Sequence, residues 1–203
     1  GIVGDTASLE IQNGVKINLL NGENNIGIYG KNITYTDSAS GAQTNYLTMN
    51  LGNSGIGAYL TRLTSNTTLK INTITTGNTT TSQLAGGIYA TSTAGSINIS
   101  GGEIKIGTVL ANGGGFGIYA SGQSGSAGSI NLGSNAVTVN QKSGLGIYAN
   151  NITNITTGNI TAGNTGVFQN NSLGTGALKT GKIELTGTED NMIGVYTSGN
   201  TTN

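Results

Sequence analysis

The chain has 203 residues, 36 of them glycine, a formal net charge of zero and no Cys, Pro, Trp or His. Eight basic residues against eight acidic ones leave no basic stripe to displace counterions, which argues against a nucleic-acid partner. Without Cys or His there are no disulfides, no thiolate chemistry and no imidazole base or ligand, so neither a metal nor a cofactor is expected.

One short phrase organises the rest: an apolar residue, then Gly, then Ile, Val or Ala, then an aromatic ring. It recurs with repeats beginning near Gly27, Gly57, Gly87, Gly117, Gly146, Gly166 and Gly194. The rings are Tyr29, Tyr59, Tyr89, Tyr119, Tyr148, Phe168 and Tyr196, spaced by 30, 30, 30, 29, 20 and 28 residues. A recurrence of this period marks one supersecondary unit stacked on copies of itself. The expectation is a single all-β solenoid over 1–203, a right-handed parallel β-helix of about seven coils.

In chain order, Gly1-Ile2-Val3 already resembles the tail of the phrase, with no charged segment leading into an apolar one. The chain is therefore expected to begin inside a longer helix and, at Thr201-Thr202-Asn203, to end inside one. Lys16-Ile17-Asn18-Leu19 alternates polar and apolar, as do Lys70-Ile71-Asn72, Ser96 to Ser100, Glu103 to Ile106, Ser129 to Gly133, Val137 to Val139 and Lys182 to Thr186. All are bounded by turn-forming residues and read as short strands, two or three to a coil. Strand alternation places Phe116, Ile118 and Ala120 on one face, taken as the core, and Gly117 with Tyr119 on the other. Each Tyr is expected to point outward and lie over the bare glycine on its own side. The 20-residue interval from Tyr148 to Phe168 measures the bare circumference. Longer coils then carry insertions at 36–45, 76–83, 107–115 and 121–128, expected on one side of the rod, which at a coil spacing of about 4.8 Å is roughly 34 Å long.

Two groups of side chains are candidate ligand-binding residues. The ladder Tyr29, Tyr59, Tyr89, Tyr119 and Tyr148 would offer an amphipathic platform for sugar faces or a protein anchor. The segment 34–46 brings Tyr35, Asp37 and Tyr46 together among small polar residues. The plain alternatives are a stiffening aromatic stack and a solvated loop. Catalysis is not expected. A polysaccharide-cleaving site needs clustered carboxylates, and only Glu189-Asp190 are adjacent; Glu103 and Lys105 share a face and read as a surface ion pair. The run Gly113-Gly114-Gly115 lacks the Asp of a calcium repeat and the Lys-Ser/Thr of a phosphate loop. A Thr-rich ice-binding face would need periodic Thr-x-Thr ladders, and pairs such as Thr34/Thr36 do not recur regularly. Asn at matched coil positions is expected to stack in amide ladders.

The Gly-Ile-Tyr-Ala phrases at 87–90, 117–120 and 146–149, with Gly-Ser-Ile-Asn-Ile/Leu segments at 95–99 and 128–132, resemble the passenger domains of large type V autotransporter adhesins, most nearly the fusobacterial ones. The resemblance spans all seven repeats and marks scaffold more than site. It implies a parallel β-helix on the outer surface of a Gram-negative cell, held to the membrane only through a barrel domain absent from this chain. It implies adhesion to a host-cell or bacterial surface glycan or protein, with a purely structural stalk as the alternative. The lack of Cys fits export as an extended chain.

Overall fold

The computed structural model describes residues 1–80, 82–171 and 176–199. The predicted end at 201–203 and position 81 of the 76–83 insertion lie outside them. The strands pair in parallel throughout, each with its counterpart one coil away, and form a β-solenoid of about seven turns.

Three walls alternate along the chain. The ring wall stacks Ile2–Asp5, Ile26–Lys31, Ile56–Leu63, Leu84–Ser92, the end of Ile97–Ser121, the end of Val137–Asn150, Thr165–Asn170 and Ile193–Ser198. A second wall follows it in every coil and a third leads back to it. Ile97–Ser121 runs through all three, turning at Gly101 and Gly107, whose φ values of 120° and 77° suit glycine. Asn32, Arg62 and Asn151 each follow their ring by three residues and take φ of 51–55°, making a left-handed corner where the chain leaves the ring wall. Asn tolerates that conformation; Arg62 holds it at a cost.

The core is a thin column filled from all three walls. Ile28, Ala58, Ile88, Ile118, Ile147 and Val167 come from the ring wall, Leu69, Ile99, Ile130 and Ile155 from the second, and Met49, Ile74, Ile104, Val137 and Ile160 from the third. Each is at most 1 % exposed, so about 2 kcal/mol of transfer energy per aliphatic side chain accrues coil by coil.

The face assignment around the phrase needs correction. Ile118 and Ala120 do face the core, but Phe116 does not belong to that cluster. Its ring lies outside that cluster, buried under the ring row and meeting Tyr89 edge-on at 6.3 Å. The glycine, expected beneath the tyrosine, points inward instead. A Cβ on Gly57 would lie 2.7 Å from Ile74 Cγ2 and 2.6 Å from the carbonyl oxygen of Gly87 in the next coil. The sheet ladder pairs Phe116 with Leu145 and Ile118 with Ile147 but skips Gly117 and Gly146. Two consecutive residues therefore turn inward, and simple alternation fails there. Only glycine fits the first of them, because the opposite wall already fills the space.

Coil lengths vary at all three corners, and most of the insertions sit at the two beside the ring wall. Eight residues separate Thr76 from Leu84 and Ile106 from Gly114, against four from Val139 to Ser143. Eight separate Ser121 from Ser129, against four from Asn150 to Asn154. Insertions 76–83, 107–115 and 121–128 thus flank the ring wall, whereas 36–45 falls at the far corner, between Thr34–Asp37 of the second wall and Leu47–Leu51 of the third, so the insertions do not gather on one side. The 20-residue coil is indeed the one with short corners.

Candidate binding face

All seven rings stack on one another along the rod. Centroid separations run 6.0, 4.8, 4.7, 4.4, 5.3 and 4.5 Å from Tyr29 to Tyr196, with interplanar angles of 5–14°. Parallel pairing at identical register causes this, since Tyr59, Tyr89, Tyr119 and Tyr148 are direct ladder partners. The rings point outward, as expected; the first six are half-buried and Tyr196 is exposed. Their faces, however, are occupied by neighbouring rings. What solvent meets is a row of ring edges and phenol hydroxyls, so the stacking of sugars onto ring faces is closed to Tyr59, Tyr89, Tyr119 and Tyr148. Burial raises the phenol pKa of Tyr89 and Tyr119, and repulsion between neighbouring phenolates raises it further.

Two more columns run beside the rings. Three residues before each ring stand Ile26, Ile56, Gly86, Phe116, Leu145, Thr165 and Ile193, a row apolar except at Thr165. Phe116 reaches across the small Gly86 of the preceding coil, where a Cβ would lie 2.5 Å from ring carbons. With Leu84, 50 % exposed, the central part of this row and Tyr59, Tyr89 and Tyr119 line an open groove of about 390 Å³. Two residues after the rings runs a polar row. Asn150 Nδ2 donates to Ser121 Oγ at 3.1 Å, Asn170 Nδ2 to Asn150 Oδ1 at 3.2 Å, and Ser198 Oγ to Asn170 Oδ1 at 2.6 Å. A second ladder joins Asn50 Nδ2 to Asn18 Oδ1 at 2.7 Å on the third wall. The expected amide ladders therefore exist.

The second candidate group comes apart. Thr34–Asp37 is a strand of the second wall, not a loop, and Tyr35 is a core residue at 1 % exposure. Asp37 is buried too, and its carboxylate acts as a structural acceptor. Oδ1 takes the Ala39 amide at 3.0 Å and Oδ2 the Lys70 amide at 2.9 Å, where strand pairing with the next coil has lapsed. Burial raises the Asp37 pKa; the two amides and the nearby Lys70 charge oppose that shift. Neither residue can meet a ligand in this structure, because their side chains are spent on the fold. Tyr46 alone is partly accessible, with Lys70 Nζ 6.0 Å from its ring centre.

Elsewhere the charges are scattered. Among the described residues the ion pair lies between Lys182 and Glu184 at 2.9 Å, not between Glu103 and Lys105, and no cluster of three acidic side chains forms. Sequence reasoning missed Ile56, Leu84, Phe116, Ser143 and Leu145 as groove residues. One signal was available: a phenylalanine registers with a glycine one coil earlier, at 116 and 86. The Thr79 hydroxyl donating to the fully buried Gln141 had no such signal, since it spans two coils.

The fold and this face define a parallel β-solenoid with a continuous external aromatic spine. No family model matches the chain, and no curated protein or solved structure matches it either.

Proposed function

We propose that this chain is a segment of a surface-displayed adhesin of the autotransporter-passenger kind, and that it binds a surface glycan or protein of another cell without catalysis. The observation that carries this reading is the three-column ring wall. Mostly apolar, aromatic and polar rows run side by side in register, and a groove opens between the first two at Tyr59–Tyr119. The aromatic column recurs at every coil, a repetition that suits multivalent contact. The occupied ring faces favour a ligand that meets ring edges and hydroxyls, with apolar contact at Leu84 and hydrogen bonds to Thr61, Thr91 and Ser121 of the polar row. A position outside the cell, on the outer membrane of a Gram-negative bacterium, belongs to the same proposal.

A second reading, a stalk that only projects a distal tip, is favoured by one specific feature. Phe168 takes a ladder position at no loss of stacking, 5.3 and 4.5 Å from its neighbours, so there the stack needs no hydroxyl. Binding of the folded chain to epithelial cells, partner bacteria and a glycan array separates the two. Saturable binding that Leu84→Asp weakens supports the adhesin. No binding by a folded chain supports the stalk.

A further inference from the structure

We propose that the tyrosine ladder is an oxidative cross-linking site, at which neighbouring coils become stapled through dityrosine bonds. Five consecutive rungs, Tyr29, Tyr59, Tyr89, Tyr119 and Tyr148, carry phenols on directly paired strands. Their rings lie within 4.4 to 6.0 Å of one another and within 13° of parallel. They are reachable from solvent along their edges, where the carbons ortho to the hydroxyl sit. The chain has no cysteine, so disulfides cannot tie its coils.

The chemistry balances with a one-electron oxidant, such as a peroxidase turning over hydrogen peroxide. Each of two phenols loses one electron and its hydroxyl proton, giving two tyrosyl radicals. Their ortho carbons join in one C–C bond, and the two ring hydrogens displaced from those carbons move to the oxygens, restoring both hydroxyls. Overall two hydrogens leave and one peroxide becomes two waters. The ladder favours this because radical pairs in solution must find each other by diffusion, whereas here the partner ring is already in place. The same stack lets an oxidised ring pass its vacancy to the next until two radicals are adjacent.

The geometry also sets an order and a boundary. Tyr119–Tyr148, at 4.4 Å, should couple first and Tyr29–Tyr59, at 6.0 Å, last. Phe168 has no hydroxyl and forms no stable phenoxyl, so Tyr196 is cut off from the other five. Tyr35 is buried away from the ladder, and among the described residues no ring stacks on Tyr46.

The test treats dilute protein with peroxidase and hydrogen peroxide, isolates the monomer, and maps cross-linked peptides by mass spectrometry. The expected product has lost two hydrogens per link, shows dityrosine fluorescence, joins rungs one coil apart and melts at a higher temperature than the starting protein. Tyr119→Phe, which keeps the stack, should abolish the 89–119 and 119–148 links and leave 29–59 and 59–89. Phe168→Tyr should add links to Tyr148 and Tyr196. Monomer without dityrosine, links that involve Tyr46 or Tyr196 as often as ladder pairs, or dityrosine confined to dimers would each overturn the proposal.

Discussion

Tyr119 and Tyr35 are the same residue on strands of the same solenoid, and they do opposite things. Tyr119 stands outside, 4.7 and 4.4 Å from Tyr89 and Tyr148, in a wall where every coil repeats the register of the last. Tyr35 stands inside at 1 % exposure, its hydroxyl without a hydrogen-bond partner, where the second wall breaks and the Asp37 carboxylate substitutes for a neighbouring strand. Regular register turns one modest contact into a seven-membered stack. A lapse in register needs a charged side chain buried to repair it. Residue type alone therefore does not place a ring in this fold; its column does.

The sharpest way to break the regular wall is to add atoms on its inner side. Gly57→Val should cost about 3 kcal/mol or prevent folding, since the new side chain meets Ile74 and the Gly87 carbonyl. Gly114→Ala, on the same wall with only Leu84 Cδ1 at 3.3 Å, should be tolerated. Urea melts of both variants test this, and equal costs would refute the inward assignment of the phrase glycine.

Breaking the stack should cost less. Tyr89→Ala loses two stacked neighbours and the edge contact with Phe116, an expected loss of about 2 kcal/mol, whereas Tyr89→Phe should be nearly neutral. A cost for Tyr89→Phe as large as that for alanine would mean that the hydroxyls, and not the ring faces, hold the ladder.

The repaired region offers a milder test. Asp37→Asn replaces one carboxylate oxygen by an amide that cannot accept the Lys70 or Ala39 N–H, and about 1.5 kcal/mol should be lost at neutral pH. The folded pKa of Asp37 is raised, so the folded state holds the proton more tightly than the unfolded chain does. Its contribution to stability should therefore improve as pH falls through the raised value and level off below about 3.9, the ordinary Asp value. Stability curves of the wild type and Asp37→Asn, measured from neutral pH downward, should differ by this acid-side gain. The smallest effect is expected at the corner. Arg62→Asn places a residue tolerant of positive φ at φ 55°, and should raise stability by about 0.5 kcal/mol in the same urea assay.

The candidate site was legible only in outline. The ladder could be read because ring spacing equals coil length, so equal spacing forces equal column. That the ring faces are mutually occupied could not be read, since ring orientation depends on side-chain rotamers in adjacent coils. The glycine was misplaced for a physical reason. At Gly27, Gly57, Gly87, Gly117, Gly146 and Gly166 it marks crowding on the inner side, not free room on the outer, and strand alternation offers no way to choose between the two. Tyr35 and Asp37 looked like a loop because Ser, Gly and Ala follow them, while the strand they form is only four residues long.

The amino-acid sequence by itself determined the period, the parallel stacking of coils, the alignment of the seven rings and the sparse charge, because each of these follows from repetition along the chain. The tertiary structure alone decided which side of each wall a residue occupies at the irregular step, which corners carry the long insertions, that Phe116 fills the space above Gly86 and that Asp37 bridges a missing strand pairing. Those features depend on what the opposite wall and the adjacent coil have already filled, and contacts between residues some 30 positions apart are not encoded in any short stretch of sequence.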